Sequence, residues 1–273
     1  MDISLFFLWV PLLAALGLVA GFLAGLLGVG GGMILVPGLF FSLEALGFSS
    51  AYTMHIAVGT SLAIIVPTGL SSARAHAKRG AVRPDLVRLI GPGIIAGVAA
   101  GTLIAARISG DDLRLVFAAS LLVLAALMAL DPQRFRLADS LPPRPWPALA
   151  GGAIGLLSTL MGIGGATVSV PYMTLYRVPI HQAVGTASAL GLIISIPAAL
   201  GFILIGWGKD SLPPFSFGYI NLLAAAMIVP FSVLAAPWGA HTAHRVSVVA
   251  LRRAFAVFLM IVSLRMLYDV AYG

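Results

Sequence analysis

The chain has 273 residues, 60% of them hydrophobic and 9% charged, with a formal net charge of +7 and no cysteine. A soluble domain carries about a quarter charged residues, so this composition and a mean hydropathy of +1.06 exclude a water-soluble globule and call for lipid as the solvent. The missing cysteines exclude disulfides, thiolate-bound metals and thiol nucleophiles. Nucleic-acid binding is excluded by where the charge lies: the basic residues gather in short loops, as at Arg74, Lys78, Arg79, Arg83 and Arg88, in the manner of cytoplasmic loops of membrane proteins.

The N-terminus carries Asp2 and no Lys or Arg before its first apolar run. A secretory signal needs a positive leading region, so this run is expected to be a retained first helix with its N-terminus on the periplasmic side of a bacterial inner membrane. Apolar runs follow in order over 4–27, 33–48, 51–73, 86–107, 112–130, 147–161, 166–178, 180–206, 215–240 and 251–270. A crossing helix needs about 20 residues, and 33–48, 147–161 and 166–178 fall short of that. The expected fold class is an all-α, multi-pass integral membrane protein.

The proline-rich, mixed-charge stretch 131–146 is the one sizeable polar interruption and reads as a cytoplasmic linker between membrane repeats 1–130 and 147–273. The two halves align. Leu27–Gly32 through Val36-Pro37 matches Met161–Ala166 through Val170-Pro171, and His55–Ser61 matches His181–Ala187. Later, Gly101, Arg107, Leu113-Arg114 and Phe117 match Gly239, Arg245, Leu251-Arg252 and Phe255. Internal symmetry of this kind marks transporters. Five crossing segments per half make the repeats inverted, whereas four, with the glycine clusters as re-entrant hairpins, make them parallel. The positive-inside rule favours the inverted layout, because it puts the basic loops 74–88 and 241–253 and the linker on one side.

Candidate substrate-binding positions come from the matched breaks. Gly28, Gly30, Gly31 and Gly32, with Gly162, Gly164 and Gly165, are too rich in glycine to continue a helix. Bare backbone at membrane depth has to be buried in protein or line a wet cavity. There it can point N–H groups and the positive end of the next helix at an anion. Gly17, Gly21 and Gly25, and Gly93, Gly97 and Gly101, have the GxxxG spacing of close helix packing, within one subunit or between two copies.

Gly59, Thr60, Ser61, Gly185 and Thr186, with Ser188 nearby, set hydroxyls beside a glycine in both halves; these either donate to anion oxygens or bond a neighbouring helix. His55 and His181 precede them at matched positions and could donate to an anion or titrate near neutral pH. Arg107 and Arg245 either snorkel to headgroups or funnel anions. The nine carboxylates fall in loops or near segment ends, Glu44 included, so no buried acid opposes an anion path.

The segments GLLGVGGGMILVP, TLMGIGGATVSVP and the paired AVGTS and AVGTA resemble the TauE/SafE sulfite exporter family, and the likeness runs from about Leu18 to Leu267. The resemblance implies an integral membrane permease for sulfur-containing anions, with Gly28, Gly30, Gly31, Pro37, Gly59 and Thr60, and Gly162, Gly164, Gly165, Pro171, Gly185 and Thr186, as its motif positions. Ala166 departs from Gly32 of the first half, which is expected to make the second turn less permissive and the halves inequivalent. The resulting expectation is a transporter of small, sulfur-containing anions working by alternating access. A passive anion channel is the alternative, and an intramembrane enzyme is disfavoured. No cofactor or metal is called for. The expected partners are the small anion, the lipid bilayer and, through the GxxxG stripes, a homo-oligomer.

Overall fold

The computed structural model describes residues 3–27, 31–48, 50–129, 137–210, 212–243 and 248–272. Ten helices make up nearly all of it: α1 (Ile3–Leu27), α2 (Gly32–Ala45), α3 (Thr53–Lys78), α4 (Pro84–Ala105), α5 (Gly110–Ala129), α6 (Trp146–Met161), α7 (Ala166–Leu175), α8 (Ile180–Ile205), α9 (Leu222–Ala243) and α10 (Val248–Tyr272). In lipid every backbone group needs an internal partner, which a helix supplies along its own length. Seven of these helices (α1, α3, α4, α5, α8, α9 and α10) are long and apolar enough to cross a membrane. Their outward faces carry Leu103, Val123, Leu204, Leu234 and Ile261, all largely exposed, as suits hydrocarbon. The chain is an all-α, multi-pass membrane protein.

Each apolar run of the sequence corresponds to one helix, with a difference at 215–240. Its first residues form a short antiparallel hairpin, β1 (Ser216–Phe217) and β2 (Ile220–Asn221), with Phe217 opposite Ile220. Pro213 and Pro214 lack the N–H a helix would use. Phe215 and Gly218 take positive φ of 63° and 57°, which a helix cannot follow, so α9 starts only at Leu222.

Glycines set the closest helix contacts. A Cβ on Gly93 or Gly97 of α4 would run into the Ala148 or Gly152 carbonyl oxygen of α6, and Cβ atoms on Gly151 and Gly155 would meet the Ile90 and Ile94 carbonyls in return. The α1–α9 pair is built in the same way, with Gly17 and Gly21 against Ile228 and Ser232, and Gly239 against Phe22. The GxxxG stripes containing these residues therefore join helices within one chain. In both pairs the contacts advance together along the two helices, so the partners run parallel.

The ends of the helices sort onto two faces. On one, Trp9 of α1 meets Phe48 beyond α2 at 5.6 Å between rings, and Tyr52, at the start of α3, stacks on Tyr219 before α9 at 5.4 Å. On the other, the Arg83 N–H at the start of α4 donates to Thr186 near the start of α8 (3.0 Å), and the Leu137 N–H donates to Leu175 at the end of α7 (3.1 Å). Thus α1 and α2 form a hairpin opening on the first face, and α6 and α7 a hairpin opening on the second. Each hairpin returns the chain to the face it left, and three further long helices follow it.

Candidate substrate site at two glycine turns

The start of α2 meets the turn between α6 and α7. A Cβ on Gly32, the first residue of α2, would lie 2.7 Å from the Gly162 carbonyl oxygen and 2.9 Å from the Ile163 Cα. Ser61 of α3 donates its buried hydroxyl to the same Gly162 oxygen at 2.8 Å. A Cβ on Gly164 would touch Ile65 (3.1 Å), in the middle of α3, and one on Gly191, in the middle of α8, would touch the Gly164 oxygen (2.5 Å). The turns therefore sit about half way along the two longest helices, with Gly32, Ser61, Gly162 and Gly164 in one place.

The two turns share one backbone conformation. Gly31 caps α2 with φ 71°, ψ −18°, and Gly165 caps α7 with φ 73°, ψ −18°; neither has a side-chain cap. Only glycine adopts this left-handed geometry without strain. The Gly31 carbonyl accepts the N–H groups of Ile34 and Leu35, and the Gly165 carbonyl those of Val168 and Ser169. Each turn thus sets the positive N-terminal end of a helix beside it. Ala166 falls at the first helical position of α7, after the left-handed residue, so it does not make the second turn less permissive. The halves differ here for another reason: Gly32 is needed where α2 presses on Gly162 and Ile163. Gly28 and Gly30 lie outside the described residues.

Val58 and Ser61 of the first AVGT segment touch the Gly162 turn, whereas the glycine and threonine of each segment hold other parts of the chain. A Cβ on Gly59 would lie 2.5 Å from the Tyr219 carbonyl oxygen, and one on Gly185 would lie 2.6 Å from that of Ala81. One residue on, the Thr60 hydroxyl accepts the Asn221 N–H at 2.9 Å, and the Thr186 hydroxyl accepts the Arg83 N–H at 3.0 Å. Each motif thus pins the residue that begins α9 or α4 onto α3 or α8, and both threonines are fully buried. Ser188 turns back to the Gly185 carbonyl (2.7 Å). Thr186→Val leaves the Arg83 N–H unpaired and is expected to cost about 1–2 kcal/mol, read as a lower melting temperature in detergent.

The matched histidines are not equivalent. His55 is buried, with Nε2 2.9 Å from the Ala105 carbonyl oxygen and its ring 5.0 Å from that of Tyr219. Burial and the neighbouring Tyr52 push the Tyr219 hydroxyl up to about 12, so it stays neutral beside His55. His181 is exposed at the start of α8, on the opposite face. Neither histidine reaches the glycine turns. Arg107 is exposed on the His55 face, and Arg245 lies outside the described residues.

Sequence reasoning noted Arg114 only as a repeat match, yet it is 7% exposed and held 2.9 Å from the Asp269 carboxylate, with its guanidinium 4.6 Å over the Phe40 ring. Asp269 also pairs with Arg265 at 3.2 Å, and with Glu44 and Asp111 these groups line a cavity of about 450 Å³ between the ends of α2, α5 and α10. Arg114→Met is expected to destabilise the protein by about 3 kcal/mol, the usual cost of breaking one side of a buried ion pair, because Asp269 keeps only the exposed Arg265. A denaturation midpoint measured in detergent checks this.

Residues 13–266 match the family model described as Sulfite exporter TauE/SafE. The chain belongs to the TauE/SafE sulfite exporter family. A probable membrane transporter protein of Haemophilus influenzae is 34% identical to this TauE/SafE chain over 261 residues, covering 95% of this chain and 98% of that one. The probable membrane transporter protein YunE of Bacillus subtilis is 25% identical (94% of this chain, 97% of that one). A probable membrane transporter protein of Methanocaldococcus jannaschii is 27% identical (82% and 83%). No solved structure matches the chain. This TauE/SafE protein is a membrane transporter, not an enzyme.

Proposed function

We propose that this TauE/SafE protein carries a small sulfur-containing anion, such as sulfite or an organosulfonate, between two inverted repeats that alternate its access. The observation carrying this reading is the meeting of two identically capped glycine turns half way along α3 and α8, one from each half. The N-termini of α2 and α7, approaching from opposite faces, put two positive helix ends at the same depth, which favours a negative ligand. Among the described residues no carboxylate lies at the turns to repel it: the acids sit at helix ends or in loops, with Glu44 and Asp269 at the edge of the bundle.

Residues 1–130 and 147–273 form the repeats in this reading. Helix pairing supports the division, since α1 on α9 repeats as α6 on α4, and the pins at Thr60 and Thr186 repeat each other. Arg74, Lys78, Arg79, Arg83, Arg88, Arg144 and Arg177 gather on the face where α3 ends and α8 begins, which makes that face cytoplasmic and the α1 start periplasmic. The sulfur chemistry rests on the description of the family, and the bacterial inner membrane is the setting that this orientation suits.

Purified protein reconstituted into liposomes tests the reading. Saturable flux of sulfite or a small organosulfonate is expected. A folded protein that moves none of these, nor sulfate, contradicts the substrate claim.

A further inference from the structure

The second glycine turn is surrounded by hydroxyls that bond nothing. Ser158 of α6, Ser169 of α7 and Ser195 of α8 are each fully buried, and none of their hydroxyls has a hydrogen-bond partner among the described residues. A serine or threonine in an apolar helix ordinarily turns back to the carbonyl one turn earlier. Thr159 does so to Gly155 (2.8 Å), next to Ser158, and Ser42 does so to Gly38 (2.6 Å). Ser263 instead donates across to Ala118 (2.7 Å). An unpaired hydroxyl in a dry interior costs free energy, so three around one turn call for a ligand.

Ser158 reaches Gly165 directly, and Ser169 and Ser195 lie on the two helices that flank the turn. The Ser158 Oγ lies 3.6 Å from where a Gly165 Cβ would be. Ser169 is four residues on from Gly165, so its side chain leans back over the start of α7. Ser195 is four residues on from Gly191, which faces the Gly164 carbonyl, and it follows Ile194, whose Cδ1 would meet a Gly165 Cβ. The first half lacks these groups: in register stand Ala24, Leu35 and Gly69, and a Cβ on Gly31 would meet the Ala24 Cβ (3.3 Å) and the Leu35 Cδ1 (3.9 Å).

We propose that a singly charged oxyanion docks at the second glycine turn alone, its oxygens taking the Ser158, Ser169 and Ser195 hydroxyls beside the positive end of α7. The charge limit follows from the donors. All are neutral, while the penalty for desolvating an ion grows with the square of its charge, so a dianion lacks the cationic partner it needs. This inference deepens the anion-carrier reading above and rests on it.

The test uses liposomes containing the full chain, with methanesulfonate as the monoanionic probe and sulfate as the dianionic competitor. Methanesulfonate flux is expected to saturate and to change less than about two-fold under ten-fold excess sulfate. Ser158→Ala, Ser169→Ala and Ser195→Ala should each raise its KM about five-fold, the value of one lost hydrogen bond, at near-unchanged melting temperature. Ser263→Ala, whose hydroxyl is already paired inside the protein, should leave KM unchanged. If the three variants keep the wild-type KM while Gly165→Ala abolishes flux, or if sulfate displaces methanesulfonate, the serine site is wrong and the carrier reading stands. If folded protein moves neither methanesulfonate nor any other sulfur anion, both fall together.

Discussion

Gly165→Ala is expected to reduce transport at least ten-fold, a loss of about 1.4 kcal/mol or more of useful binding, while the protein still folds. At φ 73° an alanine Cβ crowds the neighbouring carbonyl, a cost of roughly 1–2 kcal/mol. The added Cβ meets the Ile194 Cδ1, the far end of a flexible side chain that can move aside. Global stability therefore falls only modestly. What changes is the turn: relieving the strain rotates the N–H groups at the start of α7 and displaces the Gly165 carbonyl that Val168 and Ser169 use. Adding Ile194→Ala removes the steric contact but not the left-handed strain, so the double variant should stay impaired. Wild-type flux in Gly165→Ala would remove the turn from the mechanism.

Gly97→Val acts at the other extreme, on folding itself. A Cβ there would collide with the Gly152 carbonyl oxygen and lie 2.8 Å from the Leu156 backbone nitrogen. These are backbone atoms of α6, locked in its own hydrogen bonds, and they cannot turn aside. The helices would have to separate along the whole α4–α6 seam, and a loss above about 4 kcal/mol is expected, at the severe end for single substitutions. The protein should fail to accumulate in the membrane. Gly152→Ala is the paired control. Its Cβ would come no closer than 3.7 Å to the Gly93 oxygen, so it should be accumulated normally. If Gly97→Val accumulates and melts like the wild type, the packing account of this seam is wrong.

These two glycines mark what the sequence could and could not convey. The breaks were legible because Gly28–Gly32 and Gly162–Gly165 interrupt apolar runs that would otherwise continue as helix, and the left-handed caps fall at Gly31 and Gly165. The ten runs were legible because hydropathy is a local property. The hairpin at 216–221 was hidden, since Phe215, Phe217 and Ile220 let it merge with the apolar run that follows, and positive φ at Phe215 leaves no mark in composition. The roles of Thr60 and Thr186 were also hidden. Their partners, Asn221 and Arg83, lie more than a hundred residues away in the chain, and local sequence cannot distinguish a hydroxyl waiting for a ligand from one holding a loop.

Symmetry misled in one respect and helped in another. Matched histidines suggested matched roles, yet tertiary packing buries His55 against Ala105 and leaves His181 exposed. The informative comparison was the reverse, positions where the halves differ. Ser158 against Ala24, Ser169 against Leu35 and Ser195 against Gly69 gain meaning only once the turn they surround is known. Serine in an apolar helix is otherwise unremarked, because most such hydroxyls turn back to their own backbone.

Counterflow of a labelled sulfur anion in liposomes tests the central claim most directly, since it asks whether one site faces each side in turn. Liposomes preloaded with unlabelled methanesulfonate and diluted into a trace of labelled methanesulfonate should accumulate label transiently above equilibrium, faster than empty liposomes do. A channel shows no such trans-stimulation in electrically shunted membranes. Labelled uptake that never exceeds equilibrium and does not saturate would contradict alternating access between the two glycine turns.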